Sequence, residues 1–430
     1  MMEILKKYKI LTCLTLMAFL YLGINISVSA KYDMYEEDAD SMTIDTIAYQ
    51  PSFKYKFAKA VPNAIMGNDS LLYPFFDKLS SLRKSSNDSV RTVSVVHIGD
   101  SHIQADFFTG TTRKLINHYF GNPGRGLIAP NKLMKSNNGR HYKITSTTKQ
   151  WKYSFIVKPN EIPIGITGMG LQTNDSAANV NILTVDESFP GEWDFNEITT
   201  YCDIAKTDVY LSQSTVIKTD VYPFAKSFLL DSLTNNAEIN FVSEENEISI
   251  SGFNLSNGKR GVFYHSIGVN GARFCNYNQC AEGFYNQLAS LNPELVIISM
   301  GTNEAMSRTI DEPQLYSDIS DLVFFIRHSS PNTFVMLTTP AETYTRNRRG
   351  PNPQIEKVRN IIVNFAEKNG YPYWDLYNIT GGKSSSLEWT KKGLLTRDRI
   401  HLTQRGYEYQ GELLFEAIVK SYNQYLKAQI

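Results

Sequence analysis

Apolar positions fall into two textures along this chain. Thr92-Val93-Ser94-Val95-Val96-His97-Ile98 is a β-branched run, the composition of a strand buried on both faces. It ends in Gly99-Asp100-Ser101, and helical spacing follows from Ala105 to Tyr119. The alternation returns after residue 260. Val262–Val269 reads as a strand and Ala281–Leu291 as a helix. Leu295–Met300 with Leu315–His328, and Phe334–Thr338 with Pro353–Lys368, repeat the pair, and Tyr371–Leu376 makes a fifth strand. A last helix starts behind Thr403, a good N-cap residue, and carries Tyr407, Leu414, Ile418 and Tyr425 on one face. Segments alternating in this way predict a parallel sheet with helices on both faces.

Between residues 131 and 260 the texture changes. Short alternating segments such as Ser154–Val157, Val180–Leu183, Val209–Leu211 and Ile248–Ile250 are punctuated by Gly, Asn, Asp, Ser and Pro, without a helical period. This predicts an antiparallel β-sandwich inserted between the first and second units of the α/β domain. Upstream, residues 31–88 are polar, with an acidic Glu36-Glu37-Asp38 cluster and one amphipathic helix over Leu71–Leu82; the rest reads as a leader or linker. Residues 1–30 have the form of a secretory signal, with Lys6, Lys7 and Lys9 ahead of an apolar Ile10–Ile24 and small residues in Val28-Ser29-Ala30. An uncleaved membrane anchor is the alternative, and Cys13 has no lipobox around it. The expected division is therefore 1–30 signal peptide, 31–88 N-terminal extension, 89–130 and 261–430 α/β domain, and 131–260 inserted β-sandwich.

Composition narrows the class. The 430 residues include 43 Lys+Arg and 43 Asp+Glu, and 42% are hydrophobic. The apolar share suffices for a packed core and excludes a wholly disordered chain. Charge neutrality argues against a nucleic-acid binder, which needs a basic face for phosphate. Loss of residues 1–30 would remove three Lys and Glu3, leaving 40 basic against 42 acidic residues. No membrane span is expected after signal cleavage. Cys275 and Cys280 could close a small loop in an oxidising compartment, or they and Cys202 could be free thiols. A zinc site is disfavoured, because no CxxC or His pair at ligand spacing accompanies them.

Three separated segments carry candidate chemistry. His97-Ile98-Gly99-Asp100-Ser101-His102 puts a serine at the carboxyl edge of a parallel strand, just ahead of a helix, where open α/β sheets place their sites. Ser299-Met300-Gly301-Thr302-Asn303-Glu304 places an amide at the same edge, able to donate to a tetrahedral oxyanion. Thr396-Arg397-Asp398-Arg399-Ile400-His401-Leu402-Thr403 sets a carboxylate and an imidazole three residues apart. There Asp398 could hold Nδ1–H of His401 and leave Nε2 to take a proton from Ser101.

Gly-Asp-Ser-His at 99–102, Gly-Thr-Asn-Glu at 301–304 and Asp-Arg-Ile-His at 398–401 resemble blocks I, III and V of the SGNH (GDSL-type) hydrolases. The resemblance implies a flavodoxin-like, three-layer α/β/α domain with a parallel sheet. It also implies an oxyanion hole built from the Ser101 N–H, a glycine N–H and the Asn303 side chain. In Ser266-Ile267-Gly268-Val269-Asn270-Gly271-Ala272, Gly271 fits the glycine position best and Gly268 is the runner-up. The extended first block through Gln104 and Ala105, with Gly124-Arg125-Gly126, is similar to the peptidoglycan O-acetylesterase branch, whose members carry a β-sandwich similar to a carbohydrate-binding module between blocks I and II. Ser101 is then the nucleophile, His401 the general base and acid, and Asp398 its orienting carboxylate. The implied protein is a monomeric carboxylic ester hydrolase of the periplasm or cell envelope. It would take an O-acetylated glycan, require no metal or organic cofactor, and gain activity with pH as His401 becomes neutral.

Other residues have plainer readings. Asp100 ties down its turn, His102 packs or hydrogen-bonds beside the nucleophile, and His97 is a satisfied core histidine. His118, His141, His265 and His328 have no partner at useful spacing. Trp151, Trp193, Tyr201 and Tyr210 are more often core than sugar platforms. Arg346, Arg348 and Arg349 form a solvated loop cluster.

Overall fold

The β-branched run that opens the α/β texture forms strand β1 (Thr92–Gly99), buried from Val93 onward. Its side chains alternate between two cores. Val93 and Val95 pack into one with Phe108, Ile116 and Leu414, whereas Val96 and Ile98 pack into the other with Phe284, Leu322 and Ile362. Both faces of β1 are therefore dry, which is why its sequence shows no polar alternation. A computed structural model describes residues 45–50, 55–56, 61–84, 90–213, 215–217, 222–280, 282–345, 347 and 350–429. The signal segment, Cys13 and the arginines at 346, 348 and 349 lie outside the described residues.

Four more parallel strands follow: β2 (Gly261–Gly268), β3 (Leu295–Ser299), β4 (Phe334–Thr338) and β5 (Tyr373–Trp374). They lie in the order β2-β1-β3-β4-β5. This is the flavodoxin-like order, with its switch point between β1 and β3. Helices Tyr73–Arg83, Phe107–Phe120 and Gln404–Ala428 contribute to the core on one face of the sheet. Helices Glu282–Ala289, Glu312–Ser329 and Pro353–Asn369 contribute to the core on the other. The result is three layers around one sheet.

The structure departs from the sequence reading in several places. The helix expected from Ala105 is two, Ser101–Gln104 and Phe107–Phe120, parted at Asp106, whose φ is +56°. The fifth strand is only two residues long, and the chain turns into a helix at Leu376. A short helix, Phe274–Asn278, precedes the one expected after β2. The stretch expected as leader or linker contains a further strand, Ile65–Met66, antiparallel to β5, and the expected helix beside it, Tyr73–Arg83, fills the core with Phe75, Phe76 and Leu79. Two-residue strands carry too few positions for a period to register.

The β-rich region holds a seven-stranded and a four-stranded antiparallel sheet. Strand Ala177–Thr184 shows the expected alternation, with Ala178, Val180 and Ile182 buried. These residues meet Ile144, Ile198, Phe228, Ile239, Phe241 and Phe253 in a core of their own. Gly126–Ile128 pairs with Ile248–Ser256 in this region. Among the described residues no helix is long and apolar enough to cross a membrane.

Candidate active site

Ser101 opens the Ser101–Gln104 helix directly after the carboxyl end of β1, where the Asp100 carboxylate caps it by accepting the His102 N–H at 2.9 Å. Asn303 follows the neighbouring β3, so the switch point brings the first two motifs to one edge of the sheet. The third motif arrives from the chain's far end. Its turn is closed by Thr396 N–H to the His401 carbonyl at 2.9 Å, with Arg399 at φ +58°. Thr403 then caps the last helix by accepting the Gly406 N–H.

These elements join Ser101 and His401 across 300 residues. Ser101 Oγ lies 2.9 Å from His401 Nε2, and His401 Nδ1 lies 2.6 Å from Asp398 Oδ2. The other carboxylate oxygen, Oδ1, accepts the Ile400 and His401 N–H groups at 2.9 and 3.0 Å and the Thr396 hydroxyl at 2.7 Å. Partial burial pushes the Asp398 carboxyl up, but the bonds from His401, Ile400 and Thr396 prevail and hold it well below the usual carboxylate range. Asp398 therefore stays ionised beside the imidazole. The His401 side chain is 40% exposed, so the serine–imidazole contact is open to a ligand from solvent.

Ala272 N–H bonds the Val269 carbonyl at 3.0 Å, closing a turn in which Gly271 has φ +82°. A Cβ on Gly271 would meet nothing within 4 Å, so the space beside its backbone is open. Gly268 differs. A Cβ there would lie 2.2 Å from the Gln104 backbone nitrogen, which makes Gly268 a packing glycine. The Asn303 amide nitrogen approaches Asp100 Oδ2 at 3.2 Å and the Ala272 carbonyl at 3.0 Å, tying the turn to the Asp100 loop.

Two buried acids back this edge. Burial pushes the Asp100 carboxyl up to about 6 and that of Glu304 up to about 7. Glu304 accepts the Phe274 N–H at 2.8 Å with Oε1, while its Oε2 is buried without a partner. Burial lowers His102 to about 3, and its Nδ1 lies 3.0 Å from the Tyr407 hydroxyl. His97 sits between the Tyr264 and Ser299 hydroxyls at 2.8 and 2.6 Å, as a core histidine should.

Sequence reasoning quoted Gln104 only as part of the extended first block and gave no role to it, Asp106 or Arg113. Asp106 is buried and takes Arg113 at 2.8 Å and Arg125 at 2.6 Å. The only hint of it was Gly124-Arg125-Gly126, a charged residue between glycines ahead of a strand. His265, without a partner at useful sequence spacing, gains one through the fold, the Leu127 N–H at 3.0 Å from its Nδ1, whereas the buried His141 ring stacks on Trp193 at 4.6 Å. Cys275 and Cys280 are free thiols, so the possible Cys275–Cys280 loop is not closed, and Cys202 is buried. Trp193 and Tyr201 are core residues, whereas Tyr210 is exposed.

Residues 231–409 match the model of the GDSL-like lipase/acylhydrolase family, a span that includes Gly271, Asn303, Asp398 and His401. A solved structure of a peptidoglycan O-acetylesterase has the same fold at 21% sequence identity, over 83% of this chain and 98% of that one, with a TM-score of 0.67. A GDSL-like lipase from Bacteroides thetaiotaomicron is 22% identical over 36% of this chain and 74% of its own, with a TM-score of 0.29. An acetyl xylan esterase is 22% identical over 35% and 78%, also at 0.29. No curated protein matches the sequence. The chain has the SGNH hydrolase fold, with antiparallel sheets added to it, and its second half is similar to the acylhydrolases of that family.

Proposed function

We propose that this protein is an exported serine esterase of the GDSL-like type that removes O-acetyl groups from a glycan, most specifically from muramic acid in peptidoglycan. The observation that carries the reading is the hydrogen-bonded series Ser101–His401–Asp398, at 2.9 and 2.6 Å. Ser101 Oγ attacks the acetyl carbonyl while His401 Nε2 takes the hydroxyl proton. Asp398, held ionised, stabilises the imidazolium. The Ser101 and Gly271 N–H groups and the Asn303 amide receive the oxyanion, the amide turning the proton of its longer bond, to Asp100, toward it. Collapse expels the sugar alkoxide, which takes the proton from His401 and leaves an acetyl–Ser101 ester. Water then attacks that ester with His401 again as base, releasing acetate and restoring the serine hydroxyl.

Support for a glycan substrate comes from the extent of the likeness to the peptidoglycan O-acetylesterase, which spans 98% of that chain. The open setting of the site adds to this. The His401 side chain is 40% exposed, which suits an acetyl group displayed on a polymer. Export is supported by the signal-like residues 1–30.

The test is acetate release by the mature protein from O-acetylated peptidoglycan, acetylated xylan and longer acyl esters. Peptidoglycan is expected to be the best of the three. Ser101→Ala is expected to lower turnover at least about 10³-fold, the scale of losing a nucleophile from such a triad. Wild-type turnover by that variant rules out the mechanism, and preference for xylan or long acyl chains rules out the substrate.

A further inference from the structure

Gln104 is the last residue of the four-residue helix that Ser101 begins. It is 5% exposed, although nothing in the proposed chemistry calls for a buried amide there. Its two polar atoms are both engaged. Oε1 accepts the Asn270 N–H at 2.6 Å, and Nε2 donates to Ser136 Oγ at 2.5 Å. Asn270 immediately precedes Gly271 in the turn Val269–Ala272. Val269 N–H bonds the Gly99 carbonyl at 3.2 Å, Ala272 N–H closes the turn, and the Ala272 carbonyl takes the Asn303 amide. The Gln104 amide is thus the side-chain anchor at the centre of the turn.

The backbone contact reinforces that anchor. Gly268 passes so close to Gln104 that any Cβ would overlap the Gln104 backbone nitrogen. The nucleophile and the glycine turn are consequently held by opposite ends of one short helix. Ser136, the other partner, lies in the 131–136 segment, whose Met134 packs in the same core as Val269, Ala272 and Phe274.

We infer that Gln104 is a positioning residue for the oxyanion hole: by holding the Asn270 N–H it aims the Gly271 N–H at the oxyanion formed over Ser101. The inference rests on the catalytic reading above. A donor displaced by a fraction of an ångström still allows the substrate to bind but stabilises the transition state less, so the loss falls in kcat.

The test compares four full-length variants on 4-nitrophenyl acetate. Ser101→Ala tests the catalytic reading itself; if it retains turnover, that reading fails whatever Gln104 does. With Ser101→Ala inactive, Gln104→Met, which keeps length and loses both bonds, is expected to lower kcat at least tenfold. KM should stay within twofold, and the pH midpoint of kcat/KM should not move, because the Ser101–His401–Asp398 bonds remain. Gln104→Glu keeps the acceptor for Asn270 and should hold kcat within about fivefold of wild type, also serving if the Met variant does not fold. Ser136→Ala, which spares the Asn270 bond, should stay within twofold. Wild-type kcat in Gln104→Met, a loss confined to KM, or a Glu variant that is tenfold or more slower than wild type overturns the inference.

Discussion

At the scale of single residues, the site is an arrangement of ionisable groups whose environments differ. Asp398 is held ionised by bonds from its own turn, whereas Asp100 and Glu304, inside the other two motifs, are pushed toward the neutral form by burial. The Glu304 shift has a consequence for stability. Between its ordinary value of 4.5 and its folded value of about 7, the folded chain keeps a proton that the unfolded chain has released. Stability is therefore full below that window and falls as pH rises through it, by on the order of 3 kcal/mol. Glu304→Gln, neutral at every pH, should flatten that fall. Urea unfolding of both proteins at pH 4.5 to 8 measures it, and parallel curves would remove Glu304 as the cause. Asp398, Asn303 and Ser101 could be picked from the sequence because each sits in a motif. Glu304 also sits in one, yet nothing local reveals that its carboxyl is enclosed.

At the scale of elements, the turn after β2 separates two glycines that look alike in sequence. Gly268 has no room for a Cβ, and Gly271 has room but a backbone that L-residues adopt at a cost. Gly271→Ala should cost about 1–2 kcal/mol in urea unfolding and lower activity. Gly268→Ala should cost more and show it chiefly as lost folded protein, because backbone of the nucleophile helix occupies the space. Equal stability of the two variants would contradict this division. The long helices and buried strands were legible because many positions repeat one period: Gln404–Ala428 buries Tyr407, Leu414, Ile418 and Tyr425 as read. Ile65–Met66 and Phe274–Asn278 were missed because so few residues establish no period, and their conformation is imposed by the sheet and core they join.

At the scale of the whole molecule, the α/β layers and the β-rich region share a buried ionic joint. Asp106 starts the Phe107–Phe120 helix, Arg113 lies on it, Arg125 precedes strand Gly126–Ile128, and Arg140 donates its backbone N–H to the same carboxylate at 3.2 Å. Burial pushes Asp106 up, but the Arg113 and Arg125 guanidiniums hold it well below the usual carboxylate range. Asp106→Ala would leave two guanidiniums buried without their carboxylate, and should destabilise the protein by about 3–5 kcal/mol in urea unfolding. A loss below 1 kcal/mol would contradict a stabilising role for this joint. This joint had no sequence rationale, since charged residues in isolation read as surface.

The residue order by itself determined the alternation of strand and helix, the break in texture after residue 130 and the three motifs, since hydrophobic period and short motifs are properties of neighbouring positions. Only the tertiary structure decided the strand order β2-β1-β3-β4-β5, which sets β1 and β3 side by side and opens the switch point where Ser101 and Asn303 lie. It also decided that a turn from residues 396–403 lands on Ser101, that Gly271 faces open space while Gly268 does not, and that Gln104 spans nucleophile helix and turn. The physical reason is range. Burial and hydrogen bonding between residues hundreds of positions apart depend on how the layers pack, and no local pattern encodes that distance.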